Sequence, residues 1–462
     1  MKKMFTKVFS AAFIMAIVLT GFAVKAQQTT LASATVLKKV KKDTVAKKDT
    51  VAATSSDKPA AATVAPKPAD APRELVRRLW GYAFGDEYYA PHVAPSGLGG
   101  ETNYNGVPSN RNAFQFRRIY LGYDYDIDQK FTAEVLLASE PSANTGTAAG
   151  TGVTASNGDN LVDGKMGFFI KNFDLRVRNV WNGTDLVVGE MSTPGFALNE
   201  PGTNGPTSLS ETTWGYRFIE KTITDFHKNN SYDVGASLQG TFDPSTKNFG
   251  YVFMIGNNTT SSLLSAANAN TGFYKIFYGD IWGRFFDKHL SVDIYSDYAP
   301  TAAATATIGG QDHSMQKIFA SYSTKPISIG VEAYTQSIAN GVTNNATKTP
   351  ENATVNGLSI WLKGAISEKW GWFGRWDSYN PNTNFNSADT YAVNTNYGSY
   401  NPNYKETFYT AGLDFQPYPK IHFSPNIWVV NYTDQRATTT TGYTGPDHTL
   451  VVRATFFYTF GK

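Results

Sequence analysis

"VVRATFFYTFGK", residues 451–462, decides how the rest of the chain is read. Val452, Ala454, Phe456, Tyr458 and Phe460 fall on one parity, Arg453, Thr455 and Thr459 on the other, and only Phe457 breaks the beat. Side chains on a strand alternate between faces, so this is a ribbon with one apolar and one polar side. A soluble sandwich hides the apolar side in a core, whereas a membrane barrel turns it to lipid. The remaining sequence chooses between the two.

The chain opens "MKKMFTKVFSAAFIMAIVLTGFAVKA", with basic Lys2, Lys3 and Lys7, an apolar stretch from Ala11 to Val24, and small residues at Val24 and Ala26. This is the pattern of a secretory signal peptide over 1–26. Thr20 and Gly21 interrupt a core already short for a helical span of ~20 apolar residues. No later window holds a comparable apolar run. Residues 27–72 are rich in Ala, Lys, Thr and Pro, repeat "KKDTVA" at 41–46 and 47–52, and contain no aromatic residue. Such a segment cannot bury enough surface to fold and reads as a disordered periplasmic tail. Its "KKVKKDTVAKK" (38–48) is either a plain spacer or a contact for peptidoglycan or an anionic surface. Residues 73–462 are left for a barrel.

Cysteine is absent, which removes disulfides, thiolate metal sites and cysteine nucleophiles together. Residues 1–72 hold 12 Lys and 4 Asp; of 41 basic and 38 acidic residues in the chain, 29 and 34 remain from Arg73 onward. The basic balance belongs to the ends, so the folded part has no electrostatic motive for binding nucleic acid.

From Leu79 onward the patterning is period two. Strands are expected near 79–90, 113–127, 130–140, 166–180, 184–190, 231–242, 247–256, 273–286, 289–298, 313–323, 326–336, 355–366, 369–379, 405–416, 419–432 and 447–461. Tight turns at 126–130, 181–185, 243–247, 286–289, 323–326, 366–369 and 416–420 alternate with long connections at 91–112, 141–165, 191–230, 257–272, 299–312, 337–354, 380–404 and 433–446. Short turns on one side and long loops on the other mark an all-β transmembrane antiparallel barrel of about 16 strands. An even count returns both ends of the chain to the periplasmic side.

The faces agree. In "HLSVDIYSDY" (289–298), Leu290, Val292 and Ile294 oppose Ser291, Asp293, Tyr295 and Asp297. The inward parity carries basic Arg118, Arg176, Arg178, Arg284, Lys363, Arg375 and Arg453 against acidic Asp124, Glu134, Asp174, Asp233, Asp293, Asp297, Glu332, Asp377 and Asp414. These predict a mixed, water-filled lumen without a one-sign ladder. Aromatics near strand ends, among them Trp80, Tyr82, Trp181, Trp214, Trp282, Trp361, Trp370, Trp372, Trp428, Tyr458 and Phe460, are expected to form interfacial girdles.

Several stretches resemble phosphate-selective porins of the O/P-like family: "GYAFGDEYY" (81–89), "AFQFRRIYLGYDYDI" (113–127), "FTAEVLLASE" (131–140), "NVWNGTDLVVGEMSTP" (179–194), "WGYRFIEKTITDF" (214–226) and "FYGDIWGRFFDKHLSVDIYSDY" (277–298). The resemblance spans most of 79–462. It implies a sixteen-stranded outer-membrane barrel that passes small hydrophilic solutes, commonly as a homotrimer, and the terminal strand resembles the assembly signal of such barrels. Phosphate or other anion preference is what the family name implies; the missing Arg/Lys ladder argues against a strong one.

Connection 191–230 alone has a helix-compatible core, "SETTWGYRFIEKTITD" (210–225), in which Ser210 suits a cap and Trp214 and Phe218 share a face. The third loop of porins folds inward, which implies that Arg217, Glu220, Lys221 and Asp225 set the narrowest charge pattern, facing Arg176 and Arg178. The other placement is an external cap.

Chemistry finds little support. His92, His227, His289, His313, His422 and His448 are scattered, and Asp312–His313 and Asp447–His448 are neighbours that point apart on a strand. G-x-S-x-G, H-E-x-x-H and P-loop motifs are absent. "SNGDN" (156–160) lacks the EF-hand spacing for calcium. No cofactor, metal or catalytic step is expected. A TonB-coupled transporter would need a plug domain and about 22 strands. The expected function is a passive outer-membrane channel for small hydrophilic solutes or ions; the alternative is a closed structural or adhesin-type barrel that binds through its loops.

Overall fold

Alternating residues from Arg77 to Phe460 build strands that pair only with their neighbours. In the computed structural model the described residues are 74–461, without 96, 100–103, 105–106, 141–160, 163–164, 167, 196–208, 228–230, 259–273, 304–307 and 395–400. The leader, the tail and "SNGDN" therefore lie outside the described residues, which all belong to the unit Asp70–Lys462.

The wall comprises β1 (Arg77–His92), β2 (Arg111–Asp126), β3 (Phe131–Ser139), β4 (Phe169–Trp181), β5 (Thr184–Ser192), β6 (Tyr232–Thr241), β7 (Phe249–Gly256), β8 (Ile276–Phe285), β9 (Leu290–Ala299), β10 (His313–Ser323), β11 (Ile327–Asn344), β12 (Pro350–Ala365), β13 (Trp370–Asn380), β14 (Tyr404–Tyr418), β15 (Ile421–Asp434) and β16 (Asp447–Phe460). Each is antiparallel to the next, and β1 pairs with β16 from Gly81↔Phe460 to Tyr89↔Val452. The result is a closed 16-stranded barrel. Closure leaves no open edge along β1 and β16, so the ladder N–H and C=O groups pair from strand to strand around the wall. A short piece, Tyr391–Val393, adds onto the end of β11, and Leu161–Val162 pairs with Lys165–Met166 outside the wall.

All seven tight turns stand where the sequence puts them. One long connection does not: β11 and β12 run on to Asn344 and from Pro350, so 337–354 is mostly hairpin. Asn344 closes its end, accepting Ala346 N–H on Oδ1 at 2.9 Å while its own N–H donates to Thr349 O at 3.0 Å. The Asn- and Thr-rich composition looks like a loop, but Val342, Thr343 and Val355 are β-branched and the ladder continues through them.

Outward positions form an apolar surface that includes Val452, Tyr458 and Phe460 on β16, Ile294 on β9 and Phe423 on β15, all exposed. Arg453, Thr455 and the acidic residues assigned inward are buried inside the cylinder, apart from half-buried Asp174.

The inner face departs from the expectation of a wet lumen, because it carries large buried aromatics as well as charge. Trp80, Tyr82, Trp361 and Trp428 lie inside and not in a girdle, whereas Trp181 and Trp370 are exposed outside. These inner rings have a place to lie. Trp80 faces Gly122 across the β1–β2 ladder, Trp361 faces Gly330, Trp282 faces Gly250 and Tyr334 faces Gly357. In each pair a Cβ on the glycine would sit 2.0–2.2 Å from ring carbons. The ring covers the glycine, a cross-strand pairing that pins register.

One irregularity matters for the interior. The β1–β2 register shifts between Phe84 and Gly85, where Phe84 faces Arg118 and Gly85 faces Phe116. Arg117 is the extra residue of a β-bulge. The bulge breaks the alternation, and Arg117 and Arg118 both reach the interior.

Candidate pore constriction

Residues 209–227, between β5 and β6, lie largely buried inside the barrel. The helix-compatible core over 210–225 takes the form of two short helices, α1 (Leu209–Trp214) and α2 (Ile223–His227). Gly215 ends α1 in the left-handed region, at φ +69°, and its N–H donates to Glu211 O at 3.0 Å. Residues 215–222 then run without a regular ladder; Tyr216 O accepts the Ile219 and Glu220 N–H groups and Glu220 O accepts Trp214 Nε1 at 2.8 Å, while other carbonyls of the segment need donors from elsewhere.

The wall supplies them. Lys363 Nζ donates to Trp214 O at 3.0 Å. Arg117 donates to Ile219 O at 3.3 Å and to Phe218 O, while its Nε holds Asp86 Oδ2 at 2.5 Å. Arg453 donates to Ile219 O at 3.2 Å and to Asn426 Oδ1 at 2.8 Å. Arg375 donates to Lys221 O and is fixed by Asp377. Glu332 accepts the Thr224 N–H at 3.4 Å and also its hydroxyl, and Trp428 Nε1 donates to Glu220 Oε2 at 3.1 Å. Hydrogen bonds with a charged partner are the stronger kind, about 1.5–3 kcal/mol each.

Apolar packing adds to the clamp. Trp214, Phe218 and Ile219 are buried against Trp80, Tyr82, Phe84, Trp361 and Phe373. Phe218 stacks on Phe457, ring centroids 4.7 Å apart and planes within 3°. The residue that breaks the beat of the closing strand thus points inward to meet this segment. From the other long-loop side, Tyr104 packs edge-on against Trp428 with centroids at 5.2 Å, beside Phe226 and Phe408.

Within the segment Arg217 holds Asp225 at 2.6 Å and Glu211 at 3.5 Å. Burial raises the Glu211 carboxyl, with Arg217 opposing. Burial would also raise Asp225, but Arg217 foremost, then Lys221 and Arg118, hold it below the usual carboxylate range. Burial, helped by Arg118 and Arg217, lowers the Lys221 ammonium. Burial lowers His227 as well, aided by Arg375 and Lys221, and the ring lies flat on Tyr379 at 3.6 Å.

Of the residues singled out in the sequence, Arg217, Glu220, Lys221 and Asp225 lie on this segment, and Arg118, Lys363, Arg375 and Arg453 surround it. Arg176 instead pairs with Asp185 at 3.2 Å and Gln239 at 3.0 Å. Arg178 reaches Thr132 at 3.1 Å, and Arg284 covers Trp282, both toward the short turns. Sequence reasoning missed Arg117, Asp86, Phe457 and Tyr104. Its one signal was "RR" at 117–118, since two adjacent arginines in a strand cannot both face water unless a bulge intervenes.

Two cavities flank the segment. One of about 340 Å³ opens among the short turns and is lined by Tyr216, Lys325, Lys363, Lys369, Asp414 and His422. The other, about 110 Å³, is lined by Tyr82, Phe84, Glu211, Arg217 and Phe457. Gly215 and Phe218 line both.

No protein-family model matches this chain, and no curated protein matches it. Solved structures do. An anion-selective porin from Comamonas acidovorans has 11% identity, a TM-score of 0.49 and coverage of 84% of this chain and 100% of its own. The likeness is one of barrel fold. The outer-membrane channel DcaP of Acinetobacter baumannii gives 9%, 0.49, 84% and 97% in the same terms. OmpF of Salmonella typhi, solved with daunomycin, gives 13%, 0.47, 83% and 97%.

Proposed function

We propose that the chain is a passive outer-membrane channel for small hydrophilic solutes or ions, narrowed by residues 209–227. The observation that carries this reading is the shared lining: Gly215 and Phe218, on a segment clamped to the wall, line both the cavity at the short-turn rim and the inner cavity. The exposed apolar outer surface supports a lipid surround, and the buried charge inside supports passage of water-soluble solutes. No covalent step or cofactor is involved. Export through the leader over 1–26, supported by its basic start, apolar stretch and small residues, is part of the same proposal, as are a homotrimeric assembly and membership of the phosphate-selective-porin-like family, which the sequence resemblance supports. Lumen charge is mixed, which favours weak selectivity between phosphate, other anions and cations.

The packed aromatics favour a second reading, a closed barrel that acts through its loops. Planar-bilayer recording separates the two. Discrete open steps, larger when residues within 210–225 are deleted, are expected of a channel; a silent bilayer would leave the structural barrel standing. Exchanging phosphate for chloride in the same bilayer measures selectivity.

A further inference from the structure

Two of the six histidines meet at the seam where the barrel closes. His92 ends β1, and Asp447 and His448 begin β16, on the rim that carries the long connections. The β1–β16 ladder holds register as far as Tyr89↔Val452 and then slips, so that His92 faces Leu450. His92 Nε2 lies 2.8 Å from Asp447 Oδ1, and His448 Nδ1 lies 4.0 Å from the same oxygen. The two imidazole centroids are 4.4 Å apart. One ligand atom from each of the three residues falls within 4.8 Å of the others. Asp447 and His448 by themselves would be a solvated neighbour pair; the slip brings His92, from a strand at the opposite end of the chain, to complete a set.

We propose that His92, Asp447 and His448 bind a divalent transition-metal ion of the zinc class, which fastens the first strand to the last. Two imidazoles with one carboxylate are the donors taken by Zn²⁺, Ni²⁺ and Cu²⁺, whereas Ca²⁺ and Mg²⁺ prefer oxygen alone. Metal–ligand distances of about 2.0–2.1 Å in a tetrahedron place donor atoms about 3.3 Å apart. The three donors, now within 4.8 Å of one another, would have to close to about that spacing. The exposed His92 and His448 side chains leave the remaining positions to water. The ligands come from residues 355 apart in sequence, and an unfolded chain does not hold them together. Bound metal thus favours the closed barrel, by about a hundredfold in the folded-to-unfolded ratio when the free ion is at 100 times its dissociation constant.

The test uses full-length, tag-free protein folded in detergent and titrated with zinc chloride by calorimetry. One saturable site in the micromolar range is expected, weakened at least about ten-fold by His92→Ala or His448→Ala and unchanged by His289→Ala. His92→Gln, which retains a hydrogen-bonding group toward Asp447, is expected to lose zinc equally and covers the case in which His92→Ala fails to fold. Zinc should raise the unfolding temperature of the parent and leave the double variant His92→Ala/His448→Ala unmoved. With Cu²⁺, electron paramagnetic resonance should report two coordinated nitrogens. No saturable zinc binding by the parent, or binding by the double variant equal to the parent's, would overturn the proposal.

Discussion

Replacing Arg117 by Met removes the bulge arginine that joins the wall to the inner segment, and the cost divides in two. Asp86 keeps Thr455 at 2.6 Å and Gln115 at 3.2 Å but loses its guanidinium. Breaking a buried ion pair from one side costs about 3–5 kcal/mol, and the remaining partners put this case at the low end. That cost falls on the barrel whether the segment is docked or not, so it cancels from local opening. The second part does not cancel. Phe218 O loses its Arg117 donor, while Ile219 O keeps Arg453. One buried carbonyl left unpaired costs about 1–3 kcal/mol. At 1.4 kcal/mol per decade this raises the undocked population about 5- to 150-fold. The chain has no cysteine, so Ile219→Cys gives a single thiol at a fully buried position. Its maleimide labelling rate in folded protein should rise by that factor when Arg117→Met is added. The double change Arg117→Met/Asp86→Leu should recover global stability without slowing the labelling. A labelling rate within about two-fold of the Ile219→Cys parent would refute the clamp.

Further outcomes follow from the same contacts. Phe218→Ala removes the ring shared by both cavities and should raise single-channel conductance, with a stability loss of about 3–5 kcal/mol seen in denaturant. Asp225 is held below its ordinary 3.8, so the Arg217–Asp225 contribution is complete above pH 3.8 and is lost as pH falls through the lowered value; in a Glu211→Gln background, which removes the raised carboxyl that shares Arg217, conductance should hold steady from neutral pH to about pH 4 and become larger or noisier below it. Gly122→Ala sets a methyl against the Trp80 indole and should destabilise the barrel by about 1–3 kcal/mol in the same assay. Lys221→Glu should shift reversal potentials toward cations more than Arg176→Glu does, because Arg176 already faces Asp185 away from the segment.

Alternation made the wall legible, since a face buried against water-excluding neighbours and a face turned to lipid must differ residue by residue. It failed where the backbone leaves the two-residue repeat. Arg117 was marked only by its neighbour Arg118, because a bulge changes parity without changing composition. The inner tryptophans were misplaced for another reason: aromatic residues near strand ends suit a girdle, yet Trp361 shares the parity of Lys363, which was assigned inward. Parity carried the right answer there, and the paired glycines Gly122, Gly250, Gly330 and Gly357 would have reinforced it. The inward fold of 191–230 rested on resemblance, since nothing in "SETTWGYRFIEKTITD" by itself names the surface it meets. Phe457 was the local clue, an apolar residue on a polar face that needs an apolar partner inside the barrel.

The two short helices explain why the interior cations divide into two kinds. Six and five residues give few internal hydrogen bonds; Tyr216 O and Glu220 O are met within the segment, and the carbonyls of Trp214, Phe218, Ile219 and Lys221 are met by the wall. Arg117, Lys363, Arg375 and Arg453 are spent on that task and are directed at backbone oxygen. Arg117 and Arg375 are also offset by Asp86 and Asp377, so a count of inward cations overstates the net positive field inside the barrel. Arg118, 3.9 Å from Glu140, and Lys221, whose ammonium makes no hydrogen bond among the described residues, are less firmly engaged. Both act on Asp225. On the proposed channel reading, selectivity depends on a few groups beside the Arg217–Asp225 pair, and a barrel that lacks a basic ladder still presents a local, mixed charge pattern at residues 209–227.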